Sequence, residues 1–203
     1  MKTLLFSLLL SLPTFASPVQ LFDGKTFTGW EGDTAKTWRI EDGAILGGSM
    51  DGNRRNEFLM TTKSYKNFTL KFEYKLVGTE GFVNGGVQFH SIRVPESENE
   101  ARGFQADIGA GYTGFLQDES RRSKCPAPAD RDLVKKIEKP GEWNAYEIKT
   151  EGAHIQLFVN GTKTVDYTET DPAIPLEGKI GLQIHGNNKA VVSYRNLVID
   201  ESP

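Results

Sequence analysis

Two-residue alternation constrains this chain more than any other feature of its sequence. In "NFTLKFEYKL", Phe68, Leu70, Phe72, Tyr74 and Leu76 fall on one side of an extended backbone, and Thr69, Lys71, Glu73 and Lys75 fall on the other. A segment patterned this way buries one face and wets the other, as in an antiparallel sheet. "WRIEDGAILGG" reads as a hairpin turning at Asp42-Gly43. "WNAYEIKTEGAHIQLFVNGTKTVDY" reads as a three-stranded meander, turning near Glu151-Gly152 and at Asn160-Gly161. "EGKIGLQIHG" and "AVVSYRNLVID" supply two closing strands, and helical periodicity is almost absent. The pattern predicts an all-β chain, a β-sandwich or jelly roll of two antiparallel sheets. One segment breaks it. "RRSKCPAPADRDLVKKIEK", from Arg121 to Lys139, is charged and carries Pro126 and Pro128, and it reads as a long loop with one helical turn, lying over one face.

The chain opens with "MKTLLFSLLLSLPTFAS". Lys2 forms a short basic region, Leu4 to Leu12 an apolar stretch too short to span a bilayer, and Thr14-Phe15-Ala16 a small-residue cleavage site. Residues 1–16 are therefore expected to be an export signal and residues 17–203 one mature domain, periplasmic or extracellular, with no membrane span after cleavage. Losing Lys2 with that leader takes the formal charge from -3 to -4. A mildly acidic chain with no basic run is not built for nucleic acid. The single cysteine, Cys125, leaves no intramolecular disulfide to form, so stability is expected to rest on the core.

Same-face positions on three strands carry amides, imidazoles and one carboxylate instead of the Lys and Glu that fill other solvent faces. Gln88 and His90 share a face in "GGVQFHSI", Gln105 and Asp107 in "GFQADIG", and Gln183 and His185 in "GLQIHGNN". If these strands are neighbours, the six side chains make one polar floor, matched to sugar hydroxyls, which need paired donors and acceptors beside an apolar platform. Glu57 reads equally as a strand-start carboxylate or a floor member. "GYTGFLQDESRRS" sets Tyr112, Asp118, Glu119, Arg121 and Arg122 in a rim loop or a solvated charged loop. His154, at a hairpin turn, reads as structural. No metal cluster has convincing spacing, and no GxSxG or phosphate-binding glycine loop is present.

"LFDGKTFTGW", "NEFLMTTKSYKNFTLKFEYKL", "NGGVQFHS", "GFQADIGAGYTGFLQDESRR", "GEWNAYEIKTEGAHIQLFVNG" and "GLQIHGNNKAVVSYRNLVI" occur in that order over essentially the whole mature chain. Together they resemble the 3-keto-disaccharide hydrolase domain family. The resemblance implies a concanavalin-A-like lectin/glucanase fold and hydrolysis of glycosides whose sugar carries a 3-keto group. It matches the family's motifs at Glu57, Asn84, Gln88, Gln105, Asp107, Gln183, His185 and Arg195. His90 departs from it, standing where the family more often has Arg.

A 3-keto group acidifies the C2 proton, so a base, a donor to the keto oxygen and an acid for the leaving group are needed. His185 and Asp107 are the candidate base and its partner, and Glu57 the alternative acid or base. Gln88, His90, Gln105 and Gln183 are assigned to hydroxyl and keto contacts, and Tyr112, Arg121 and Arg122 to the rim. No cofactor is required by the sequence. A divalent metal ion held by Asp107, Glu57 or the loop carboxylates is the alternative electrophile. Two other readings stay open: a non-catalytic carbohydrate-binding module using the same floor, and a structural domain with an apolar patch in its place.

Overall fold

The structure, a computed structural model, describes residues 17–97 and 99–202. The export signal read at 1–16 lies outside the described residues. In chain order the elements are β1 (Val19–Gln20), β2 (Trp30–Glu31), β3 (Trp38–Glu41), β4 (Ala44–Asn53), β5 (Glu57–Thr61), β6 (Phe68–Gly81), β7 (Asn84–Arg93) and β8 (Ala101–Gly109). There follow β9 (Leu116–Glu119), β10 (Lys124–Ala127), α1 (Arg131–Ile137), β11 (Asn144–Glu151), β12 (His154–Val159), β13 (Thr162–Thr168), β14 (Lys179–Ile184) and β15 (Asn188–Glu201).

These strands form two antiparallel sheets. The back sheet runs β13-β12-β11-β6-β15-β4-β3, with β1 added on β15, and the front sheet runs β10-β9-β8-β7-β14-β5-β2. The chain passes repeatedly between the two sheets, as at β4–β5, β5–β6, β6–β7, β10–β11, β13–β14 and β14–β15, so the all-β sandwich expected from alternation is the fold observed. The meander and the early hairpin appear as β11-β12-β13 and β3-β4. Their turns place Asp42 and Gly43 at φ +50° and +73°, and Asn160 and Gly161 at +48° and +78°. Two consecutive left-handed residues are what a type I′ turn requires, and Asp, Asn and Gly are the residues that tolerate it.

Alternation also builds the core. Phe68, Leu70, Phe72 and Tyr74 from β6 face Val87 and Phe89, Phe104, Ala106 and Ile108, and Leu182 and Ile184 from the front sheet, all nearly or fully buried. Phe72 stacks on Tyr146 at 5.3 Å within the back sheet. Each such side chain contributes roughly 1.5–3 kcal/mol on burial.

Two local features depart from the sequence reading. The segment 121–139 is more ordered than a loop. It adds edge strand β10 to the front sheet and forms α1, whose first turn is capped by Asp130 accepting from the backbone N–H of Asp132 and Leu133. Pro126 sits in β10, an edge strand, where a missing N–H is tolerated. The second departure is a β-bulge at His90. Gln88 pairs with Gly181 but Ser91 pairs with Lys179, so three steps of β7 face two of β14. The same extra residue shows against β8, where Phe89 pairs with Phe104 and Ile92 with Arg102. His90 absorbs it at φ +47°.

Candidate active site

The pocket lies on the outer face of the front sheet. β7, β8 and β14 are neighbours there, as the shared floor requires. Gln105 is directly opposite Gln88 in the β7–β8 register, and Gly86 is opposite both Asp107 and Gln183. Because Gly86 has no side chain, the Gln105 amide lies over it and donates to Gln183 Oε1 at 2.9 Å. Gln183 and Gln88 are fully buried. Gln88 Nε2 donates to Ala101 O at 3.2 Å. The β7–β8 connection covers this end of the face: Arg93 donates to the carbonyls of Phe58 and Asn99, and Asn99 donates to that of Asn56. Gln88 and Gln183 thus support the floor from beneath a cover and do not line the cavity.

The uncovered end forms a cavity of about 290 Å³ lined by Phe82, Asn84, Gln105, Asp107, Tyr112, Gln117, Glu119 and His185. Its electrostatics are set by burial. Asp107 is 6% exposed, and desolvation raises its carboxyl to about 8 against opposing hydrogen bonds from Asn84 and the backbone N–H of Ile108. Both donors reach Oδ1, at 2.7 and 2.9 Å. Glu119 is also raised by desolvation, with the neighbouring His185 pulling the other way.

His185 continues the outward parity of Gln183 just past the end of β14. Its backbone N–H donates to Asn84 O at 3.0 Å. Ring Nδ1 lies 2.8 Å from Gly186 O, and since a carbonyl only accepts, Nδ1 carries the proton of the neutral ring. Nε2 is then the basic nitrogen. Phe82 meets the imidazole edge-on at 4.8 Å, and Tyr112 meets Phe82 at 6.1 Å. Asn188 fixes this wall, because its Nδ2 donates to the carbonyls of both Phe82 and His185 at 2.8 Å while its Oδ1 accepts from Asn53.

The structure brings together five residues expected from sequence: Gln105, Asp107, Tyr112, Glu119 and His185. It places the others elsewhere. The bulge turns His90 away from the floor and into the core, where its ring packs against Phe68, Phe89 and Phe104 and Nε2 pairs with Lys66 O at 2.8 Å. Desolvation lowers the imidazole to about 4. Glu57 sits in register with core-facing Ile184, so it leaves β5 on the other side, pairs with Arg55 at 2.8 Å, and lines a different cavity of about 580 Å³ with Asp33 and Lys36.

Asp118 also has core parity, opposite Phe104. It is fully buried between Arg121 and Arg122, and Arg122 reaches on to Glu169 beyond β13. That ionic cluster ties the front sheet to the segment leaving the back sheet and is not a rim over the pocket. Arg195 stands on the back sheet, paired with Glu73 and 4.0 Å from the Trp143 ring centroid.

Sequence reasoning did not select Phe82 or Gln117 for this site, and it noted Asn84 only as a match to the family's motifs, with no role assigned. Gln117 had a signal, since it alternates with Asp118 in "LQDE" and faces Gln105 across β8–β9. A metal does not fit the donors as arranged. Asp107 Oδ1 is committed to Asn84 and Ile108, Glu57 faces another cavity, and no group of three or more His, Cys, Asp or Glu among the described residues could hold an ion.

Comparison with known proteins gives a consistent picture. A family model described as a 3-keto-alpha-glucoside-1,2-lyase-like domain matches residues 17–200. The 3-keto-disaccharide hydrolase of Bacteroides thetaiotaomicron is 37% identical over 78 residues, a stretch covering 33% of this chain and 26% of that protein. Among solved structures, a candidate glycosyl hydrolase from Parabacteroides distasonis superimposes with a TM-score of 0.68 at 23% identity, over 92% of this chain and 94% of that one. The carbohydrate binding module CBM66 from Bacillus subtilis does so with a TM-score of 0.64 at 15% identity, over 85% and 96%. At these identities the superpositions establish a shared fold.

Proposed function

The chain belongs to the 3-keto-alpha-glucoside-1,2-lyase-like domain family, and on that premise we propose that it is an exported carbohydrate-acting enzyme that cleaves 3-keto glycosides. The observation that carries the reading is the buried Asp107 carboxyl and the His185 imidazole, its Nδ1 engaged by Gly186 O and its Nε2 left free of that contact, lining one small cavity. Elimination across C1 and C2 of a 3-keto sugar, which breaks the glycosidic C1–O bond, needs a base for the C2 proton, stabilisation of the enolate, and a proton for the departing oxygen.

His185 Nε2 takes the C2 proton. The electron pair delocalises onto the C3 oxygen, and then the C1–O bond breaks as C1=C2 forms. Asp107, protonated at neutral pH because it is desolvated, donates a hydrogen bond to the charge developing on the C3 oxygen or a proton to the leaving oxygen. Glu119, on the same cavity wall and also raised, takes the acid–base place that sequence reasoning gave to Glu57. Gln105, Asn84 and Gln117 supply hydroxyl contacts, and Phe82 and Tyr112 an apolar wall. Water adding across C1=C2, with oxygen to C1 and hydrogen to C2, completes a net hydrolysis.

The test is incubation with a 3-keto glucoside and its unoxidised parent, followed by release of the aglycone. The expected result is turnover of the keto sugar alone, lost in His185→Ala and Asp107→Asn. Full turnover in either variant sinks the role assignment. Saturable binding of both sugars without turnover points instead to a carbohydrate-binding module.

A further inference from the structure

His185 stands outside the hydrogen-bonded ladder that fixes its neighbours on the front sheet. β14 ends at Ile184 and β15 begins at Asn188, so the imidazole leaves from the connection 185–187, which carries the chain from the front sheet to the back. Strand register alone therefore does not hold it. Three hydrogen bonds do so, one from each consecutive backbone N–H. His185 N–H donates to Asn84 O at 3.0 Å, Gly186 N–H to Asn56 Oδ1 at 2.9 Å, and Asn187 N–H to Asn53 O at 2.6 Å. The first and third acceptors are main-chain oxygens, which any residue supplies. Asn56 Oδ1 is a side-chain atom, and a substitution can remove it.

The fit around Asn56 is close. An N–H only donates, so the amide must turn its oxygen toward Gly186. On its other side Asn56 is held by Asn99, whose Nδ2 donates to the Asn56 carbonyl at 2.9 Å. A Cβ on Gly186 would stand 2.6 Å from both Cα and C of Arg55, so only glycine lets the two segments approach this far. With the 185–186 peptide tied to Asn56 and the 186–187 peptide tied to Asn53, the Gly186 carbonyl is aimed back at the imidazole, 2.8 Å from Nδ1. That contact keeps the proton on Nδ1 and the lone pair on Nε2. Without the tie to Asn56 the 185–186 peptide can rotate, Gly186 O leaves Nδ1, and the ring is free to take the other tautomer, with no lone pair on Nε2. Resting on the proposed 3-keto glycosidase reading, we propose that Asn56 is a positioning residue for His185, acting through the Gly186 peptide to keep Nε2 in its basic form.

Two measurements test it. The first reads the imidazole directly, by nitrogen-15 NMR of the ring nitrogens at alkaline pH, where imidazole is neutral. The His185 signals are those missing from His185→Ala. Wild-type His185 is expected in the Nδ1–H form. Asn56→Ala is expected to move it toward the Nε2–H form, and Asn56→Asp, which keeps an oxygen acceptor for the Gly186 N–H, to restore it. A predominant Nε2–H form in the wild type, an unchanged tautomer in Asn56→Ala, or no restoration in Asn56→Asp overturns the proposal. The second measurement is steady-state kinetics on a 3-keto glucoside. Asn56→Ala is expected to lower kcat by about tenfold, the order of one hydrogen bond, with KM changed by less than about twofold and most of kcat recovered in Asn56→Asp. A lowered melting temperature with kcat of the folded fraction intact marks a merely structural role and overturns the proposal. If the wild type cleaves no keto sugar, the catalytic reading fails, and the ring spectra still decide whether Asn56 positions His185.

Discussion

Gln88-Phe89-His90 and Gln183-Ile184-His185 write the same pattern on two strands that lie side by side, β7 and β14. Through the glutamine and the apolar residue they behave alike: both glutamines sit on the outer face, and both Phe89 and Ile184 are in the core. At the histidine they diverge. His185 keeps the parity of its strand and joins the cavity, whereas His90 takes the extra residue of a bulge and is turned into the aromatic core. One pattern thus yields a chemical group in one copy and a packing group in the other. A single inserted step in the ladder is enough, because side-chain direction along a strand has a period of two.

The strongest way to break this contrast is to delete each imidazole. His185→Ala is expected to lower kcat on a 3-keto glucoside by about 10²–10⁴-fold while leaving the melting temperature nearly unchanged. His90→Ala is expected to do the reverse, costing about 2–4 kcal/mol of stability by leaving a void among Phe68, Phe89 and Phe104, with turnover of the folded fraction intact. Denaturant titration and steady-state kinetics on both variants check this. Loss of activity in a stably folded His90→Ala sinks the comparison.

Next in size is the pH dependence, where the two groups act with opposite sign. His90 titrates near 4 when folded, below its ordinary 6.5, so its stability contribution is present above 6.5 and lost as pH falls through 4. Asp107 titrates near 8 when folded, above its ordinary 3.8, so its contribution is present below 3.8 and lost as pH rises through 8. His90→Phe should therefore flatten the acid limb of a stability–pH profile, and Asp107→Asn the alkaline limb. Unchanged limbs would falsify both assignments. With Asp107 as the protonated catalyst, wild-type activity should also fall as pH rises through about 8, measured as kcat/KM across that range.

The smallest effect sharpens the contrast between the two sheets. Arg195→Ala, on the back sheet, is expected to remove an exposed ion pair with Glu73 and a cation–π contact with Trp143. The expected loss is about 0.5–1 kcal/mol of stability, with turnover changed by less than about twofold. A large drop in turnover would show that the back sheet takes part in the chemistry.

Much of the molecule was legible as a sequence because its physical signals are local. Alternation gave β6 and β8 with the correct faces and the β11-β12-β13 meander as strands, and the Asp-Gly and Asn-Gly turns gave two hairpins. Gln105, Asp107 and His185 followed from parity alone. Asp118 and Glu119, adjacent in sequence, were both placed on a rim. Their strand instead sends one into an ionic cluster and the other into the cavity. The same parity removes Glu57 from the site, since its register with Ile184 was not readable before strand pairing was known.

What the sequence determined by itself was the fold class and the outward-facing stock of amides, carboxylates and imidazoles, because backbone period and turn chemistry act over two to four residues. The tertiary structure decided which of those groups meet. Register, the bulge at His90 and the cover over Gln88 arise from contacts between strands far apart in the chain. The chemistry of Asp107 was decided there too: a carboxyl is ordinary in water, and only the packing of β7, β8 and β14 around it removes the water that would keep it ionised.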